Sequence, residues 1–227
     1  MFIHFNLIEW FATIISWSII GFIAFKIYQK KTDDLENWKL VFIILIGFLA
    51  LDLNWVSRSH SISFAVIPLG VLILALFLKK RGSWEKYKPY AWLGFWANYI
   101  FLFLSLIANL IHGQIYDKSD IHTFISDTSN MEVINVDTSK IEYSVSLSKL
   151  MEMVESAYLE ESDDYYWIEE DLHTEQGTPK QFPYQLIEVN PKWGSGIDAS
   201  IFLEKDRQGI LILTEEENYY FRTAEPF

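Results

Sequence analysis

A dense run of carboxylates is the feature of this 227-residue chain that most readily suggests chemistry. Residues 160–175 offer the oxygen ligands that a hard cation such as Ca²⁺ takes: Asp163, Asp164, Glu169, Glu170 and Asp171. Their spacing matches no calcium loop, and the glycine that a sharp ligand-bearing turn needs is missing. We therefore expect a solvated acidic loop, and the sequence predicts no metal site.

Aromatic side chains interrupt this run and recur further along. Tyr165, Tyr166 and Trp167 lie among the carboxylates, and Trp193 lies in the turn-rich segment Asn190–Gly196. Tyrosine and tryptophan are enriched at binding hot spots, so these four residues are our candidates for contact with a partner. The alternative is that the first three seal the core of a domain and that the segment around Trp193 is a plain hairpin loop.

The usual catalytic patterns are missing from the sequence. Gly194-Ser195-Gly196 lacks the Gly-x-Ser-x-Gly spacing of a nucleophile elbow. His112, His122 and His173 do not pair at helical spacing, as a metallohydrolase motif requires. The chain has no cysteine, which excludes disulfides and thiolate chemistry. The sequence therefore predicts no catalytic residue and no cofactor.

The elements that carry these residues fall into two unlike halves. Residues 1–112 hold ten Lys and Arg against six Asp and Glu, a net charge of +4. Residues 113–227 hold eight against twenty-four, a net charge of −16. Strong negative charge argues against nucleic acid and anionic lipid as partners of the second half, and favours a protein surface.

The first half contains four long apolar stretches. A membrane-spanning helix needs about 20 mostly apolar residues. We therefore predict a transmembrane domain over residues 1–112, a four-helix bundle with spans at about residues 7–27, 39–56, 61–78 and 91–111. Pro68 and Gly70 predict a kink in the third span. The segment 40–78 is a helical hairpin, spanning or re-entrant, and we favour spanning.

Positive charges give this bundle a direction. Nine of its ten Lys and Arg residues fall in the first and third connections, and the second has only Arg58. The positive-inside rule places the two basic connections in the cytoplasm, so the N-terminus and residues 113–227 lie outside. The first stretch has no preceding Lys or Arg, which predicts an uncleaved anchor rather than a signal peptide.

Ionisable side chains inside spans are the usual functional candidates in membrane proteins. Here they are Glu9, Asp52 and Arg58, all expected toward the outer face. The simpler interpretation is a set of interfacial charges with an Asp52–Arg58 contact.

Residues 113–227 predict a small extracytoplasmic α+β domain, with one amphipathic helix on an antiparallel sheet of four to six strands. Period-two alternation is clearest over residues 141–147. The other predicted elements are strands at 131–136, 184–189, 197–204, 209–214 and 218–222, and a helix at 149–160. We expect Gly209 to supply a positive φ in the hairpin loop that precedes it.

These features favour a multi-pass protein of a bacterial-type cell membrane. Half of the chain is an outer domain, and the cytoplasmic loops are too short to fold, so we expect a non-enzymatic role in sensing or in binding a protein partner. The first alternative is a small transporter, or an accessory transport subunit, that uses Asp52 and Glu9. The second is a membrane-bound hydrolase, which would need a pocket in the outer domain.

Overall fold

The structure is a computed structural model that describes residues 5–30, 36–57, 60–135, 147–160, 181–206, 208–215 and 217–223. The chain divides into two compact units. We call Ile8–Ile111 the apolar unit, and Met1–Leu7 together with His112–Phe227 the sheet unit.

Helices dominate the first part of the chain. They are α1 (Leu7–Lys30), α2 (Asn37–Gly47), α3 (Leu69–Lys80) and α4 (Trp84–Ile115). Among the described residues, two helices, α1 and α4, are long and apolar enough to cross a membrane. At a rise of 1.5 Å per residue, the 24 residues of α1 extend about 36 Å, which exceeds a hydrocarbon core of about 30 Å.

The predicted second and third spans are wrong as continuous helices. The 11 residues of α2 extend only about 16 Å, and α3 is nearly as short. Between them lie two antiparallel strands, β1 (Leu51–Ser57) and β2 (His60–Ile67). Of the four predicted spans, the described residues therefore form two long apolar helices, and the other two are replaced by short helices and a pair of strands.

The pairing of β1 with β2 agrees with a period-two pattern in the sequence that an average of hydropathy over a long window does not reveal. Residues 51–54 alternate apolar and polar side chains, which is the period of a strand. The register places Asn54 opposite Ser63, whose hydroxyl donates to the Asn54 side chain at 2.7 Å. Pro68 comes directly before α3 and so separates strand from helix, and the predicted kink inside a span is wrong.

Glycines let the short helices approach closely. A Cβ at Gly94 of α4 would lie 2.9 Å from the Gly47 Cα of α2, and one at Gly70 of α3 would lie 3.1 Å from the same atom. Small residues that allow main chains to approach are typical of helix packing in membranes. The Asn98 amide of α4 also donates to the carbonyl of Phe48, the residue directly after α2, at 3.1 Å.

The apolar unit carries large apolar side chains on its outside. Phe22, Leu76, Phe77 and Phe103 are each more than 60% exposed. Large exposed apolar patches on proteins usually mark surfaces that contact another protein or a membrane.

The sheet unit contains, among the described residues, a six-stranded antiparallel sheet in the order β3-β5-β6-β7-β8-β4. Its strands are β3 (Glu132–Asn135), β4 (Tyr158–Leu159), β5 (Tyr184–Ile187), β6 (Ala199–Leu203), β7 (Gly209–Thr214) and β8 (Asn218–Arg222). Helix α5 (Leu147–Ser156) and a short 3₁₀ helix (Ile121–Thr123) complete the described elements.

Both faces of the central strands are buried. One face packs Ile201, Leu203, Ile210, Ile212 and Phe221 with Met153 and Val154 of α5. The alternate residues Phe202, Leu211 and Tyr220 form a second cluster with Phe182. Continuous apolar runs such as Ile210-Leu211-Ile212 are expected of strands that are covered on both sides.

The predicted helix on an antiparallel sheet is confirmed, and β7 and β8 have the predicted bounds. The strand predicted at 141–147 lies almost wholly outside the described residues. The reason given for Gly209 is wrong, because the glycines with positive φ in the described chain are Gly82, Gly194 and Gly196. Gly209 instead leaves room for the side chains of Glu204 and Tyr220, which a Cβ there would meet.

The glycine contacts in the apolar unit predict a large effect of one methyl group. We expect Gly94→Ala to destabilise the protein by about 1–3 kcal/mol, because the added Cβ forces α2 and α4 apart. Gly21→Ala in α1 is the matched control, since its Cβ would meet nothing within 4 Å. Thermal unfolding in detergent measures both, and equal midpoints for the two variants would contradict this packing.

Candidate functional site

The structure describes the positions of only some of the predicted site residues. Tyr165, Tyr166, Trp167 and Arg58 lie outside the described residues, as do the five carboxylates proposed as cation ligands. Glu9 lies in the first turn of α1. Asp52 is not in a helix; it is an exposed residue of β1, paired in register with Ala65 of β2.

Trp193 is 76% exposed, as its place in a turn-rich segment suggested. The main chain around it is firmly held. The Leu7 N–H donates to the Gly194 carbonyl at 3.0 Å, and the Tyr116 hydroxyl donates to the Trp193 carbonyl at 3.0 Å. Gly194 and Gly196 both have positive φ, which glycine adopts without strain.

Ser195 is a structural residue of this loop. It is only 3% exposed, and its Oγ accepts a hydrogen bond from the Ile197 N–H at 3.3 Å. Its carbonyl lies 2.7 Å from Nε2 of His112, so that ring nitrogen carries the proton and donates. The hydrogen bonds of Gly194-Ser195-Gly196 therefore hold the main chain of this loop in place.

A polar cluster that sequence reasoning missed surrounds the turn between β6 and β7. The Tyr220 ring is buried beside Phe182, with ring centroids 6.3 Å apart. Its hydroxyl emerges from this apolar cluster and donates to Glu204 Oε2 at 2.6 Å. Glu204 is half-buried and directly follows β6, so its carboxylate is held in one place.

A guanidinium extends the cluster. Arg222 Nη2 donates to Asp206 Oδ2 at 3.3 Å and to the Gln208 side chain at 3.4 Å, and Nη1 lies 3.9 Å from Glu160 Oε2. Asp206 also accepts from the N–H groups of Gln208 and Gly209, which fixes the turn. Among the described residues, the carboxylates of Asp206 and Glu160 thus lie within 4 Å of the Arg222 guanidinium.

An open depression of about 490 Å³ lies beside this cluster, and we call it the acidic groove. Gln181, Glu204, Lys205 and Asp206 line it. Its carboxylates can accept hydrogen bonds from ammonium, guanidinium or amide groups of a partner, and such charge-assisted bonds are stronger than neutral ones.

Burial sets the ionisation of the two central groups. Loss of solvent raises the pKa of Glu204, and the hydrogen bond from Tyr220 opposes that rise. Burial, followed by the hydrogen bond to Glu204, raises the pKa of Tyr220, so its hydroxyl stays protonated and remains a donor at physiological pH. The cluster is a carboxylate held by a neutral phenol.

The sequence contained a signal for this site. The predicted hairpin β6–β7 and the predicted strand 218–222 together place Glu204, Asp206 and Arg222 at one edge, since Gly209 pairs with Arg222 in register. What the sequence did not reveal is the burial of the Tyr220 ring, which makes Glu204 a fixed group rather than a solvated one.

Among the described residues, no three His, Asp or Glu side chains are grouped so that they could hold a metal ion. Comparison with known proteins found no matching family model, no matching curated protein and no matching solved structure.

The raised pKa of Glu204 predicts an unusual pH response. Folding favours its protonated form, so its contribution to stability is present below the unfolded pKa and is lost as pH rises through the folded pKa. Glu204→Gln should therefore gain stability relative to the wild type as pH rises from 4 to 7. The thermal unfolding midpoint of the full chain, measured across this range, checks the difference.

Asp127→Asn is the control of opposite sign. The Ser129 hydroxyl and N–H donate to Asp127 and lower the pKa of its carboxyl, so its contribution is present at neutral pH and is lost as pH falls. This variant should be less stable than the wild type at pH 7, and the difference should shrink in acid. The same trend for both variants would contradict the burial assigned to Glu204.

Proposed function

We propose that this chain is a multi-pass protein of a bacterial-type cell membrane that holds its sheet unit outside the cell as a non-enzymatic binding or sensing domain. The contrast between the two units carries the proposal. One unit exposes large apolar side chains and contains two helices that are long enough to span a bilayer. The other buries its apolar side chains in a sheet, and residues 113–227 carry a net charge of −16.

Helix length and charge support the orientation in this proposal. The apolar part of α4 follows the basic segment Lys79–Lys88, and α1 ends with Lys30 beside Lys31. With these basic ends in the cytoplasm, the two helices cross in opposite directions. Leu7 and Ile115 then both lie at the outer surface, and the sheet unit follows α4 outside.

The acidic groove supports the choice of partner. Glu204 and Asp206 present carboxylates at an open surface, one of them fixed by Tyr220. A polypeptide segment that bears Lys or Arg complements such a surface, and complementary charge speeds encounter as well as giving specificity. We propose that the groove binds a basic segment of another envelope or membrane protein.

Site-specific photo-crosslinking in living cells tests this function. A benzophenone side chain at Gln181, which is exposed and lines the groove, should give a discrete adduct. Asp206→Asn should weaken that adduct roughly tenfold, which corresponds to about 1.4 kcal/mol for one charge-assisted hydrogen bond. The matched control is the same probe at Glu152, an exposed residue of α5, which should give no adduct.

The transporter alternative makes a different forecast. It requires Asp52 for activity, whereas under the binding proposal Asp52→Asn leaves the Gln181 adduct unchanged. An adduct of equal strength from Glu152, or one indifferent to Asp206→Asn, would rule out the groove as the binding surface.

A further inference from the structure

Trp193 is the most exposed large apolar side chain in the described part of the chain, and it belongs to the sheet unit. Most other apolar residues of comparable exposure lie in the apolar unit. An indole left in water forgoes a large gain from burial, since aromatic side chains bury 150–250 Å² each. The exposure of the Trp193 side chain therefore needs an explanation.

The loop cannot simply fold the indole away. Carbonyls of three successive residues are held: Trp193 by Tyr116, Gly194 by Leu7, and Ser195 by His112. Gly196 packs against Asn6 so closely that a Cβ would lie 3.0 Å from the Asn6 nitrogen. These contacts fix the main chain and hold the side chain outward.

The groups that hold the loop are the ends of two apolar helices. Leu7 is the first residue of α1. His112 lies in the last turn of α4, and Tyr116 is the residue that directly follows α4. The loop is thus tied to the chain where both candidate membrane spans end. If α1 and α4 cross the bilayer, these ends lie at its outer surface, and Trp193 lies at the same level.

The neighbours of Trp193 have the composition of a membrane interface. Phe5 precedes Asn6, which pairs with Ser195 of the loop, and Ile115 accepts a hydrogen bond from Lys192. Phe5 and Ile115 are 38% and 49% exposed. The ammonium of Lys192 lies 5.9 Å from the centre of the Tyr116 ring and donates to the Ile115 carbonyl at 3.3 Å. Tryptophan and tyrosine are enriched at the headgroup level, where an apolar ring and a polar N–H or O–H are both accommodated.

We propose that the loop Asn190–Gly196 is a membrane contact of the sheet unit, with the Trp193 indole inserted among the lipid headgroups of the outer leaflet. This inference rests on the proposed membrane anchoring. It assigns to lipid a residue that the sequence offered as a protein contact. We assign lipid to this surface because the loop is hydrogen-bonded to residues at the ends of the two proposed spans. The loop also carries Lys192, a cation in a unit that is otherwise strongly acidic, and its ammonium can contact lipid phosphate.

Because the chain has no cysteine, single cysteines can carry a fluorescent probe without background. Full-length Trp193→Cys, labelled with an environment-sensitive fluorophore, is reconstituted into phosphatidylcholine vesicles that contain spin-labelled lipids. Phe103→Cys, on an exposed position of α4, reports the hydrocarbon. Lys205→Cys, at the exposed turn after β6, reports water.

The Trp193 probe should show blue-shifted emission and strong quenching by headgroup-labelled lipid, with weaker quenching by lipid labelled deep in the chain. Quenching at position 193 as weak as at position 205, with position 103 quenched by the deep label, would overturn the inference alone. If position 103 is not quenched by the deep label, the proposed membrane anchoring itself fails. Vesicles made without spin-labelled lipid give the unquenched fluorescence of all three probes.

Discussion

Every N–H and C=O of a main chain in apolar surroundings must find its partner within the protein, and in the bilayer that we propose for it the apolar unit is subject to this constraint. Helices α1 and α4 satisfy it alone, since their hydrogen bonds are internal. Two hydroxyl groups of α1 are also satisfied locally: Ser16 and Ser18 donate to carbonyls four residues earlier, each at 2.8 Å. The Tyr90 hydroxyl of α4, in contrast, is buried without a hydrogen-bond partner among the described residues. The β1–β2 hairpin pairs its inner edges, and Tyr99 donates to the Ala65 carbonyl at 2.5 Å.

In both units, glycines allow close packing because they have no Cβ. In the apolar unit, Gly47, Gly70 and Gly94 omit side chains so that α2, α3 and α4 can approach. In the sheet unit, Gly209 omits one so that the Glu204 carboxylate and the Tyr220 hydroxyl can meet above the turn. A missing Cβ thus creates close helix packing in one unit and positions a polar group at the proposed binding surface in the other.

Sequence reasoning succeeded where one local pattern dominated. The apolar run 210–212 and the aromatic run 219–221 lie in β7 and β8, whose predicted bounds match the observed ones, and uniform hydropathy identified α1 and α4. It failed over residues 39–78, because average hydropathy does not distinguish a short helix followed by a strand from one long helix. Alternation in Leu51-Asp52-Leu53-Asn54 held the missing information.

The candidate site shows the same limit. Glu204, Asp206 and Arg222 could be placed at one edge from the predicted hairpin, but the phenol that fixes Glu204 is brought there by the burial of its ring, which is a long-range effect. Trp193 was recognised as exposed, yet its ties to Leu7, His112 and Tyr116 join residues more than 75 positions apart. Local patterns do not report such contacts.

The central claim is that the sheet unit lies outside a membrane that α1 and α4 cross. Labelling of single cysteines with a membrane-impermeant maleimide tests it directly, because the chain has no cysteine of its own. A cysteine at Glu152, exposed on α5 and outside the acidic groove, should react in intact cells, and one at Ser83, between α3 and α4, only after permeabilisation. Reaction at Ser83 in intact cells, with position 152 protected, would contradict this orientation.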